Sequence, residues 1–444
     1  MKKARIPTYV VNLKRRVDRK EHILSEFSGK EEFDLNIVEA IEDPIGAVGL
    51  WKTILSILKK ADADRDEFIV ICEDDHQFTE NYAPGIMDRV IAEALKIGAD
   101  ILCGGISSFK SAFQITDEIF WVEQFCGLQF TIIFGRFYKT ILAADFRPGD
   151  SADLKISFLS NDTYFIHPFI STQKEFGYSD VTLKNNTKGW VNELFSKSAI
   201  SVQILKYIEG FYKSIQEAPG REDLQNLVIP TYVINLPERN DRRDHIKRQF
   251  AGRPEFDITI VEAFRHENGA VGLWHSIRKV IAMALENDDD VIVLCEDDHI
   301  FTPAYSRNHL LQNIFLASRQ KVDIILGGVS GFDKALVIPG DRFWVNSFFG
   351  TQFVIIFKQL FKPLLDEPFD DSVTADGILT ELAANKIVLF PFISSQKGFG
   401  YSDVNEINNH AGHVEWLFEY ASGRLEGIRR EYGLKCKRQY ITQV

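Results

Sequence analysis

The sequence predicts an α/β protein made of two tandem copies of one domain. Three observations predict it: a long internal repeat, alternation of strand-like and helix-like segments, and an acidic cluster that closes a buried strand. Ile6-Pro-Thr-Tyr-Val-Val-Asn-Leu13 returns as Ile229-Pro-Thr-Tyr-Val-Ile-Asn-Leu236, an offset of 223 residues. The same offset relates Gly46-Ala-Val-Gly-Leu-Trp51 to Gly269–Trp274, Cys72-Glu-Asp-Asp-His76 to Cys295–His299, and Phe176-Gly-Tyr-Ser-Asp180 to Phe399–Asp403. Solenoid repeats run roughly 20–50 residues, so a period this long duplicates a whole domain. The expected boundaries are 1–217 for the first copy, 218–226 for a linker around Ala218-Pro-Gly-Arg-Glu222, and 227–444 for the second copy.

Within a copy the periods alternate. Tyr9–Leu13 reads as a short buried strand and Asp18–Phe27 as a helix with Ile23 and Phe27 on one face. Strand-like Leu35–Ala40 follows, then a helix carrying Val48, Trp51, Leu55 and Leu58 at helical spacing. Phe68–Cys72 is β-branched, apolar and too short for a helix. A helix at Ile86–Ile97 leads to the strand Asp100–Cys103 and the turn Gly104-Gly105. Strands Phe120–Phe125 and Phe130–Phe134, short helices Phe137–Asp145 and Ala152–Leu159, and the strand Tyr164–Pro168 complete the sheet. Each copy closes on a long helix; in the first, Ile204, Leu205, Ile208, Phe211, Tyr212 and Ile215 form the expected apolar stripe. Early βαβ alternation with a mixed later half is the pattern of a Rossmann-like sheet whose ligands sit at the carboxyl ends of strands.

Composition narrows the function. The formal charge of −12 argues against a general binder of nucleic-acid backbone. The odd, scattered set Cys72, Cys103, Cys126, Cys295 and Cys436 makes no disulfide framework and points to a reducing, cytoplasmic setting. No run reaches the about 18 apolar residues that span a bilayer, which leaves at most a peripheral membrane location.

Two constellations carry chemistry. Glu73, Asp74 and Asp75 begin where a buried strand ends, so alternation would turn Glu73 and Asp75 toward one side of a cleft. Hard oxygen ligands there suit Mn²⁺ or Mg²⁺ on a diphosphate, with Asp75 and Asp298 as metal ligands and Glu73 and Glu296 beside them. The plainer reading is a solvated acidic loop. The second constellation, Asn12, Arg16 and Arg19 with Asn235, Arg239 and Arg242, sits between a strand and a helix, where guanidinium groups meet phosphates. Its plainer alternative is an Asp18 N-cap with arginines on the solvated helix face.

In order and spacing these motifs resemble glycosyltransferase family 25, the lipopolysaccharide-type galactosyltransferases related to the collagen galactosyltransferases. The segments Pro168–Asp180 and Pro391–Asp403, with Gln173 and Gln396, are similar to that family's closing segment. The resemblance implies two tandem GT-A-like domains, a UDP-sugar donor (UDP-galactose above all), a divalent metal, a glycan acceptor of the cell envelope, and inversion at the anomeric carbon. It also singles out Asp153 and Asp376 as the base, with Asp180 and Asp403 as second choice; a helix-start Asp on the dipole is the plainer alternative for the first pair. One departure stands out: where the family has Gly-Glu-x-Gly-Cys-x-x-Ser-His, both copies have Gly-Ala-Val-Gly-Leu-Trp and end in Ile54 and Ile277. That departure keeps open a non-catalytic nucleotide-sugar or glycan binding protein, and the acids keep open a nucleotidyltransferase. The two similar halves are also able to pack as a pseudo-dimer.

Weaker candidates are His76 and His299 beside the acids, Gly104-Gly105 and Gly327-Gly328 as a backbone approach to sugar, and Lys174 and Lys397 toward phosphate. Trp51 and Trp274 read as core.

Overall fold

The computed structural model describes residues 5–179, 183–215, 224, 227–368, 374–400 and 410–441. The chain divides into two compact units, Met1–Tyr207 with Lys435–Val444, and Ile208–Leu434. Each is mixed α/β and, among the described residues, holds one eight-stranded sheet.

The first sheet begins with β1 (Ile6–Asn12), α1 (Val17–Glu26), β2 (Phe33–Glu39), α2 (Gly46–Asp64) and β3 (Phe68–Glu73), with β1 parallel to both β2 and β3. A three-residue strand β4 (His76–Phe78), helix α3 (Ile86–Ile97) and β5 (Ile101–Cys103) follow. Then come β6 (Ser108–Phe109), β7 (Ala112–Gln114), β8 (Ile119–Val122), β9 (Phe125–Cys126) and β10 (Phe130–Phe134). Helices α4 (Gly135–Leu142) and α5 (Ala152–Phe158), strands β11 (Thr163–Ile166) and β12 (Ser171–Gln173), and the long helix α6 (Trp190–Ser214) finish the half. The strand order is β2-β1-β3-β10-β5-β11-β8-β7, and β10 runs antiparallel between β3 and β5. The second half repeats this order strand for strand. The Rossmann-like mixed sheet expected from the sequence is therefore present twice.

Burial explains the compositions. Ile69–Cys72 of β3 are all buried, as a central strand covered on both faces requires. Helix α2 turns Trp51, Ile54, Leu58 and Ala61 into the core at three- and four-residue steps, and Trp51 stacks on Phe146 at 4.7 Å. Its Gly49 is a packing requirement, because a Cβ there would lie 2.4 Å from the Ile41 carbonyl; Gly272 repeats this against Phe264 at 2.7 Å. The last helix corrects the expected stripe: Ile204 is exposed, and the buried positions are Val191, Phe195, Ser198, Val202, Leu205, Glu209 and Tyr212.

Because β1, β3, β5 and β11 share one direction, their carboxyl ends lie on one edge of the sheet, together with the start of the reversed β10. Asn12, the three acids, Gly104 and the loop Gly127–Gln129 are thereby gathered on that edge.

Candidate functional site

In β1 and β3 Val11 pairs with Glu73, so the next residues, Asn12 and Asp74, leave the sheet side by side. Asn12 Nδ2 donates to Asp74 Oδ2 at 2.9 Å and to the Arg16 carbonyl at 3.2 Å. Asn235 Nδ2 does the same to Asp297 Oδ2 at 2.8 Å. The middle acid, which strand alternation passed over, is thus the anchor. The alternation argument assumed an extended run through Asp75, whereas β3 stops at Glu73 and the chain turns.

Arg19 holds the same turn from α1. Its Nη1 donates to Asp74 Oδ1 at 3.1 Å and Asp75 Oδ2 at 2.9 Å, and Nη2 donates to the Tyr178 carbonyl at 2.6 Å. Phe176 and Tyr178 cover the guanidinium, with ring centroids 4.8 and 4.6 Å from Cζ. In the second half Arg242 Nη1 lies 3.2 Å from both Asp297 and Asp298 under the Phe399 ring. These arginines are buried, so the solvated-face reading fails and the guanidinium groups serve as internal counter-ions to the acidic turn. Arg16 Nη1 stands 3.6 Å from Asp74. Asp18 is not an N-cap: α1 begins after Arg16, and Asp18 accepts the Tyr178 hydroxyl at 3.1 Å.

In the second half a cavity of about 820 Å³ opens on this edge, inside the roughly 300–1,000 Å³ range of small-molecule sites. Its wall contains Asn235, Arg239, Arg242, Glu296, Asp298 and Asp376. Burial pushes Glu296 up to about 8, with Asp298 adding repulsion and the Thr351 hydroxyl, donating to Oε1 at 2.5 Å, opposing it. Asp298 is pushed up to about 6 by burial and Asp297, against the pull of Arg242. Glu73 is raised well above the usual carboxylate range by burial and Asp75. Leu128 holds the position equivalent to Thr351. Burial likewise raises Asp75 to about 6 in spite of Arg19.

Buried acid in excess of buried base is what a cation relieves. Asp298 Oδ1 is buried with no hydrogen-bond partner outside its own residue. Among the described residues no group of three His, Cys, Asp or Glu is placed to hold a metal ion. Glu296 and Asp298 line the cavity together and repel one another, a set of two carboxylates that would hold Mg²⁺ or Mn²⁺ only with phosphate oxygens and water as the remaining ligands. His76 and His299 do not join that set. His76 is fully buried among Phe27, Phe78 and Phe130, its Nδ1 is 2.8 Å from Ser171 Oγ, and burial holds it neutral; His299 repeats this against Ser394.

Asp153 and Asp376 open short helices, as the helix-start reading requires, and also face the edge. Asp153 Oδ2 accepts the Gly127 amide at 3.0 Å, and Asp376 Oδ2 accepts that of Gly350 at 3.2 Å. Those glycines have φ of 111° and 102°, a backbone that other residues rarely adopt. Asp153 also adds to the repulsion on Glu73, placing the two acids in one electrostatic site.

Sequence reasoning missed Thr351 and the β4–β12 pairing, which sets Gln173 opposite His76. Gln396 Nε2 reaches Asp298 Oδ2 at 2.9 Å and Gln173 reaches Asp75 Oδ1 at 3.4 Å. The glycine pairs are packed against protein: a Cβ at Gly105 would lie 2.1 Å from the Ser171 carbonyl. Lys397 lines the cavity, whereas Lys174 Nζ lies 3.4 Å from His22. An ion pair on the loops flanking each site is kept with reversed polarity, Arg15–Glu42 at 3.2 Å in the first half and Glu238–Arg265 in the second. Asp180, Asp403 and residues 218–223 and 225–226 lie outside the described residues.

No protein-family model matches this sequence, and no curated protein matches it. Among solved structures it is similar to A197 from STIV (17% identity, 40% of this chain and 87% of that one, TM-score 0.27). It is also similar to apo UDP-glucose pyrophosphorylase (9%, 44% and 82%, TM-score 0.27). A third is the mannosyltransferase PcManGT from Pyrobaculum calidifontis in complex with GDP-Man and Mn²⁺ (12%, 43% and 66%, TM-score 0.24). Each covers less than half of this chain, and likeness at this level bears on neither ligand nor activity. Among the described residues no helix is long and apolar enough to cross a membrane.

Proposed function

We propose that each half binds a nucleotide-sugar at the carboxyl edge of its sheet and that the protein is an inverting glycosyltransferase, with galactose as the expected sugar and a cell-envelope glycan as acceptor. The observation that carries this reading is the second-half cavity, in which carboxylates, arginines and an asparagine from four separate segments meet at strand ends. Arg239 supplies positive charge for a phosphate. A divalent cation held by Glu296 and Asp298 would offset the diphosphate's charge as it departs. Asp376, fixed by the Gly350 amide, is the group suited to accept the proton of an acceptor hydroxyl as its oxygen attacks the anomeric carbon and the nucleoside diphosphate leaves. Asn12, Arg16, Glu73, Asp75 and Asp153 have the same roles in the first half, with Arg19 and Arg242 holding the acids in place.

Incubation with a panel of nucleotide-sugars, Mn²⁺ and glycan acceptors, reading free nucleoside diphosphate, tests the proposal. Release that depends on acceptor supports it. Binding without release selects the non-catalytic reading, and pyrophosphate release from a nucleoside triphosphate selects a nucleotidyltransferase.

A further inference from the structure

The second-half cavity has on its wall an aromatic residue, Phe349, that the first half's sequence does not repeat. Phe349 lines the cavity although the residue is 58% exposed. Its backbone is pinned on both sides: its amide donates to the Gly331 carbonyl at 2.9 Å, and its carbonyl accepts the Ser330 amide at 2.9 Å. The next residue, Gly350, donates to Asp376, and the one after, Thr351, donates to Glu296. The ring therefore stands on a fixed backbone in the wall of the cavity that Asp376 and Glu296 also line. A large apolar ring left in water forgoes the stabilisation of burial, and on a rigid cavity wall it is placed to recover that stabilisation from a ligand. At the equivalent positions the first half has Cys126 and Leu128, which offer neither ring nor hydroxyl.

We infer that Phe349, with Thr351 beside it, is the platform for the sugar ring of the bound nucleotide-sugar, and that the second half is the one that selects the sugar. This rests on the reading of the edge as a nucleotide-sugar site. If the diphosphate sits at Glu296 and Asp298 and the base is Asp376, the pyranose lies between them, in the cavity whose wall Phe349 shares. One face of a pyranose is lined by C–H groups, which pack on the electron-rich face of an aromatic ring. The Thr351 oxygen, already donating to Glu296, keeps lone pairs to accept from a sugar hydroxyl.

The experiment uses the full chain with Mn²⁺ and follows hydrogen exchange of peptides around 342–352 and 119–129, so that the halves are read separately. Probes are UDP- and GDP-linked hexoses, and UDP and GDP without sugar. Phe349→Cys, which installs the first half's residue at an exposed position, is expected to weaken hexose-linked nucleotides at the second half by about 10-fold. Free nucleoside diphosphates should bind it as they bind the parent, and Phe349→Tyr should bind both like the parent. Equal weakening of both probe classes, or of neither, overturns the inference. If the parent binds hexose-linked nucleotides no better than free diphosphates, the platform is refuted while the nucleotide site stands; binding of neither class refutes both.

Discussion

Arg242→Met removes a buried guanidinium and leaves a side chain of similar length. The arginine is 5% exposed and bonds Asp297 and Asp298 at 3.2 Å each. Deleting one partner of a buried ion pair costs about 3–5 kcal/mol, because the other charge stays buried without compensation. In a domain of roughly 150–250 residues each kcal/mol lowers the midpoint by about 2–4 °C, so the second half should melt about 6–20 °C lower. Scanning calorimetry of the full chain, with and without Mn²⁺, reads this. Two acids lose their counter-ion, so Mn²⁺ should raise the variant's midpoint more than the parent's. In an Asp298→Asn background the same substitution should cost less, since one of its two bonds is already gone. A variant that melts within about 2 °C of the parent, or costs that add in full, would refute the counter-ion role.

Glu296 has a folded pKa above its unfolded value, so the folded state holds the extra proton and its stability contribution declines as pH rises from about 4.5 to about 8. Buried, neutral His299 tilts the profile the other way, so the comparison of Glu296→Gln with the parent isolates the acid: chemical denaturation should show the variant gaining relative stability toward pH 8, and parallel profiles would contradict the burial argument. Asp376→Asn combined with Asp153→Asn should abolish turnover while calorimetry still detects nucleotide binding, and retained turnover would remove both from the role of base. Gly272→Ala places a Cβ 2.7 Å from the Phe264 carbonyl and should destabilise the second half by about 1–3 kcal/mol in urea titration; an unchanged midpoint would show that the loop yields freely.

Much of the architecture was legible because the chain states it twice. The constant offset of 223 residues reappears as duplicated hydrogen bonds, Asn12 to Asp74 and Asn235 to Asp297. Central strands such as Phe68–Glu73 announce themselves by apolar β-branched runs bounded on both sides. What escaped was too short or too long in range. Strands β4 and β12 have three residues each, too few for any period to register. The pairing of Arg19 with Asp74 spans 55 residues and leaves no local mark, so an arginine on a polar helix read as solvated or as a phosphate contact. The turn after Glu73 defeated alternation by one residue, which moved the anchoring role to Asp74. The differences Leu128 against Thr351 and Cys126 against Phe349 lie in the sequence unmarked, because only the coordinates show that Thr351 bonds Glu296 and that Phe349 lines the cavity.

Crystals of the full chain soaked with Mn²⁺ and a UDP-hexose test the central claim most directly. The account predicts an anomalous Mn²⁺ peak between the carboxylates of Glu296 and Asp298, with the diphosphate on it and the sugar toward Asp376. A diphosphate bound away from the strand ends, or manganese at other carboxylates with Glu296 still bonded by Thr351 and Asp298 by Arg242 and Gln396, would contradict it.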